Sequence, residues 1–182
     1  MFRKYRKPVE DEDRVVKDPL RSRERTMNRA VKLLAAKPRS VGELRTRLLE
    51  KHWTNDEIVD SVIEKLKEYK YLDDDQFAGD LALSKLRQKP QGKRKLQQSL
   101  SRKQISRETM DRAIESAFEK MPESELLDQA IAKRVRLKGV PETREDKKRF
   151  FDHLLRQGFD LGLVRDQLNA LLKNHSTSNH PE

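Results

Sequence analysis

Leu44-Arg-Thr-Arg-Leu48-Leu-Glu-Lys-His-Trp53-Thr-Asn-Asp-Glu-Ile58-Val-Asp-Ser-Val62-Ile-Glu-Lys-Leu66 has apolar residues at i and i+4, a short break, and then apolar residues at i, i+4 and i+8. That spacing gives one stripe on each of two short helices joined by a turn. Sliding the chain by 52 residues places the six positions Leu44, Leu48, Trp53, Ile58, Val62 and Leu66 on Leu96, Leu100, Ile105, Met110, Ile114 and Phe118. A further shift of 54 places them on Phe150, Leu154, Phe159, Val164, Leu168 and Leu172. Six matched apolar positions in three copies identify an internal repeat, and Trp53, Ile105 and Phe159 are expected in equivalent buried places.

Working outward, each pair is preceded by a further helical pattern. It runs from about Arg23 to Ala36, from Asp74 to about Lys89, and from about Glu125 to Lys138. Pro38, Pro90 and the Gly139–Pro141 step follow the three ends, as expected where the residue before proline is pushed out of the helical region. Ser40–Glu43, Thr54–Glu57 and Asp73–Gln76 have capping-box spacing, and Ser106 and Asp160 are available as later caps. The reading is an all-α chain of three tandem repeats of a three-helix unit, elongated and able to curve. Its expected parts are a flexible arm over 1–21, repeats over 22–72, 73–121 and 122–174, and a disordered tail over 175–182. Units this small bury a core only by packing on their neighbours.

Composition agrees. Only 34% of the 182 residues are apolar and 40% are charged, which suits short helices that bury one stripe and solvate the rest. Cysteine is absent, which removes disulfides, thiolate metal sites and thiol nucleophiles. No apolar run approaches the roughly 20 residues of a membrane span, and no secretory leader follows Met1-Phe2-Arg3-Lys4. A cytoplasmic monomer is expected.

The net charge of +10 is concentrated. Between Asp80 and Glu108 no acidic residue occurs, yet Lys85, Arg87, Lys89, Lys93, Arg94, Lys95, Arg102, Lys103 and Arg107 do. Lys133, Arg134, Arg136 and Lys138 form a second group. A polyanionic partner accounts for such a run better than a solvated face, where the two signs usually mix. Lys93, Arg94, Lys95, Arg102 and Lys103 are expected on one continuous exposed surface. With no aromatic residue in the segment to stack on bases, the contact should be with backbone phosphates or acidic protein surface.

Catalytic signals are poor. His52, His153, His175 and His180 show no i, i+4 pairing, and the carboxylates are scattered, so no metal or cofactor is expected and the chain reads as a non-enzyme. Gly92-Lys93 lacks both the upstream glycine and the following Ser or Thr of a phosphate-binding loop. A helix-turn-helix DNA reader is the alternative that the three-helix unit suggests. The last helix of the first copy, however, offers Asp56, Asp60, Glu64 and Glu68, which repel a phosphate groove.

Ser40 to Lys51, Tyr71-Leu-Asp-Asp-Asp-Gln-Phe-Ala78, and Gly92 through Ser106 together resemble the RecX family of bacterial regulators of the RecA recombinase. The resemblance covers about residues 25–173. The chain departs from the family pattern at Lys93, Gln104 and Ser99. What the resemblance implies is a protein of three-helix repeats that binds the RecA filament on single-stranded DNA and restrains its ATPase and strand exchange, in DNA repair and recombination.

Overall fold

Asp18 starts the first helix. Its carboxylate accepts from the N–H groups of Leu20 at 3.0 Å and Arg21 at 3.1 Å, and Pro19 takes the first helical position, where a missing N–H costs nothing. Helix α1 therefore spans Pro19–Ala36, followed by α2 (Val41–Leu49) and α3 (Asp56–Glu68). Next come α4 (Asp74–Gln88), α5 (Lys93–Ser101), α6 (Arg107–Lys120), α7 (Glu123–Lys138), α8 (Arg144–Arg156) and α9 (Leu161–Ser178). These coordinates are a computed structural model that describes residues 14–178, and no strand occurs among the described residues.

Two ends depart from the sequence reading. The arm expected over 1–21 is helical from Pro19, and Arg14 and Val15 are already tied to α2 and the turn after it. The tail expected from His175 is helical as far as Ser178. The remainders, 1–13 and 179–182, lie outside the described residues.

Side-chain caps set most helix starts. Ser40, Asp73, Thr143 and Asp160 accept from the N–H groups of Glu43, Gln76, Asp146 and Leu163 at 3.1, 2.9, 3.1 and 3.1 Å. At α3 the cap is Asn55, which accepts from Ile58 N–H at 3.0 Å, and not Thr54. Thr54 is buried and its hydroxyl pairs with that of Thr26 at 3.0 Å, so it is unavailable to the helix.

The chain forms two compact units. The first comprises residues 14–77 together with Lys103–Ser106, and the second comprises 78–102 and 107–178. In the first, Leu44, Leu48, Val59, Val62, Ile63, Leu66 and Leu72 close around Ala30. In the second, Leu86, Leu96, Leu100, Ile114, Leu126, Leu127, Leu154 and Phe159 are fully buried. Each such side chain contributes about 1.5–3 kcal/mol. The turn position of the repeat is less uniform than its spacing suggests. Phe159 is fully buried, but Ile105 and Trp53 are only half-buried. Trp53 lies beneath the Arg25 guanidinium, 4.3 Å from the ring centre, with the Lys51 ammonium at 5.4 Å.

Turns seated on helix starts explain why the middle three-helix group is divided. In the first unit the Ser40 hydroxyl donates to the Lys103 carbonyl, Thr46 bonds the Gln104 side chain at 3.0 Å, and the Lys103 ammonium bonds Glu43 at 2.9 Å. In the second unit Gly92 N–H donates to the Gln157 carbonyl at 3.0 Å and Arg94 N–H to the Gly158 carbonyl at 3.2 Å. Under the repeat shift Lys103 matches Gln157 and Gln104 matches Gly158. Both Gln104 (φ 53°) and Gly158 (φ 87°) are left-handed, the conformation that turns the chain sharply between two helices.

Candidate polyanion-binding surface

The first turn of α5 is Lys93-Arg94-Lys95, with no acidic side chain of its own. Cations at a helix N-terminus oppose the helix dipole, so this end is strongly positive. Glu123, the first residue of α7, accepts from Lys93 N–H at 3.1 Å and offsets part of that charge. Lys93 and Arg94 are exposed, as are Arg87 and Lys89 near the end of α4 and Arg102 after α5.

Lys95 and Lys103, expected beside them on the open surface, are half-buried. Lys95 donates to the Gln157 side chain at 2.9 Å, and burial followed by the nearby Lys89 lowers its pKa. Lys103 is held by Glu43. Both are engaged at the seats where turns meet helix starts. Lys85 is half-buried on α4, while Arg107 is exposed and lies 3.7 Å from Asp111. On α7, Lys133, Arg136 and Lys138 are exposed, whereas Arg134 is half-buried over the Phe150 ring at 5.2 Å, with its Nε buried and unpartnered.

A cluster absent from the sequence reading appears around His153. Burial first, and then the fields of Arg134, Arg156, Lys89 and Lys95, lower the imidazole pKa. Cations from just past α4 and from α5, α7 and α8, all in the second unit, thus add to burial in disfavouring its protonation. In the sequence His153 reads as an unpaired histidine without a catalytic partner, and Arg156 lies in no basic run. Their role comes from the meeting of segments some 60 residues apart in the chain.

On α3 the acidic face is internally engaged. Arg45 pairs with Asp56 and, at 2.8 Å, with Asp60, and Lys67 pairs with Glu64 at 2.8 Å. That helix presents ion pairs rather than base-reading amides. Among the described residues no helix is long and apolar enough to cross a membrane.

Two family models match the chain: the first three-helix domain of RecX over residues 27–66 and the second over 73–114. The regulatory protein RecX of Prosthecochloris aestuarii is 32% identical over 150 residues, covering 82% of this chain and 95% of that protein. The chain belongs to the RecX family. It is 36% identical to the regulatory protein RecX of Thermotoga petrophila over 145 residues, covering 80% and 83% of the two chains. The crystal structure of RecX from Lactobacillus salivarius superposes with a TM-score of 0.74 at 17% identity, over 83% of this chain and 99% of that one. That likeness bears on the fold, an all-α array of three-helix groups. Membership in RecX, a family of regulatory proteins, gives the chain a regulatory role.

Proposed function

We propose that this RecX-family chain binds the RecA recombinase filament on single-stranded DNA and lowers its ATPase and strand-exchange activity, without turnover of its own. It acts as a cytoplasmic monomer. The observation that carries the reading is the cationic start of α5, where Lys93 and Arg94 are exposed and the first turn holds no acidic residue. Such a surface suits a phosphate-bearing filament, whose backbone contacts give affinity without reading sequence. A modulator needs only to bind one filament state better than another. Lys85, Arg87, Lys93, Arg94, Arg102, Arg107, Lys133, Arg136 and Lys138, all in the second unit, extend the proposed contact.

The test is ATP turnover by RecA on single-stranded DNA as the protein is titrated in. A fall in turnover that tracks filament occupancy is expected. Unchanged turnover at saturating protein, or selection of one duplex from a random pool, would replace this reading with that of a DNA reader.

A further inference from the structure

The left-handed turns at Gln104 and Gly158 each receive the start of a helix. Gly158's carbonyl accepts from the N–H of Arg94, in the first turn of α5, at 3.2 Å. Gln104's carbonyl faces Gly42, in the first turn of α2, so closely that a Cβ there would lie 2.5 Å from the oxygen. The repeat shift places His52 at the matching position, where the chain turns without a left-handed residue. Among the described residues the segment that leads into α1, Arg14–Asp18, is not helical. The His52 carbonyl is nevertheless occupied: Val15 N–H donates to it at 3.0 Å, and the Arg14 guanidinium donates to the neighbouring Leu49 carbonyl at 2.9 Å.

We propose that Arg14–Asp18 is a cap that takes, on the first three-helix group, the place a helix start takes on the other two turns. The chemistry matches at the acceptor, since a backbone N–H meets the repeat-equivalent carbonyl in both Val15–His52 and Arg94–Gly158. It differs in the donor, which here comes from an extended segment that Asp18 then turns into α1. The cap closes the Lys51-His52-Trp53 turn to any other helix start presenting a free N–H.

Two measurements on the full-length protein test the cap. In the wild type the Val15 amide should exchange with solvent about tenfold or more slowly than in an unstructured peptide. Exchange at the unstructured rate would overturn the proposal, with no variant needed. Val15→Pro removes the donor and should shift the emission of Trp53, the chain's single tryptophan, to the red and speed exchange of the amides at 49–53. Val15→Ala keeps the N–H and should do neither. If the Pro and Ala variants match in both readouts, the segment is not a cap.

Discussion

Gly42 and Gly79 face opposite situations. A Cβ on Gly42 would meet the Gln104 carbonyl oxygen at 2.5 Å and its Cβ at 2.6 Å, whereas one on Gly79, inside α4, would meet nothing within 4 Å. Gly42→Ala should therefore cost about 1–3 kcal/mol by overpacking the seat, and Gly79→Ala should gain about 0.5–1 kcal/mol from helix propensity. Urea midpoints of the two variants measure this, and equal shifts would contradict the seat geometry. His153 gives a pH dependence. Its folded-state pKa lies below the ordinary histidine range, through burial and then four surrounding cations. As pH falls through that range the unfolded chain takes the proton first, so stability should drop until the depressed folded value is passed. Above the ordinary range the penalty is absent. His153→Gln should flatten the part of the urea-midpoint decline between pH 7.5 and 5.5 that His153 causes; matching slopes would contradict this assignment.

Helix α5 shows how core and surface roles separate along one element. Leu96 and Leu100 are fully buried while Lys93 and Arg94, in the same nine residues, are exposed. Leu100→Ala should cost roughly 2–5 kcal/mol by opening a cavity, seen as a lower urea midpoint. Binding should be lost only where the unit unfolds, so binding lost by a fully folded Leu100→Ala protein would put the core residue at the contact. The apolar spacing of α5 was legible because a buried stripe imposes a period on the sequence. So were most neighbouring helices, since Leu44, Leu48, Phe150 and Leu154 obey the same rule and are buried. Periodicity could not reveal which turn meets which helix start. Lys95 and Lys103 read as open cations for that reason, yet Gln157 and Glu43, about 60 residues away, hold them. Thr54 likewise read as a cap until its pairing with Thr26 gave the role to Asn55.

At the scale of the whole molecule the basic excess is not one uniform coat. Twelve of the thirteen cations singled out from sequence fall in the second unit, Lys103 alone belonging to the first. Charge reversal of the exposed Lys93, Arg94 and Arg102 to Glu should weaken filament binding strongly. It should also reduce the log–log salt slope by about two units if all three meet phosphates of a single strand. The helical circular dichroism should hold, because exposed substitutions typically stay within about 0.5 kcal/mol. Unchanged affinity and slope would move the contact to Lys133, Arg136 and Lys138. The His153 cluster has one more consequence. Burial is the larger cause of the lowered imidazole pKa, and a polyanion that neutralises Arg134, Arg156, Lys89 and Lys95 removes the remaining one. Association should then draw protons from solution at mildly acidic pH, so its calorimetric heat should change with the ionisation enthalpy of the buffer, and the complex should tighten as the solution is acidified.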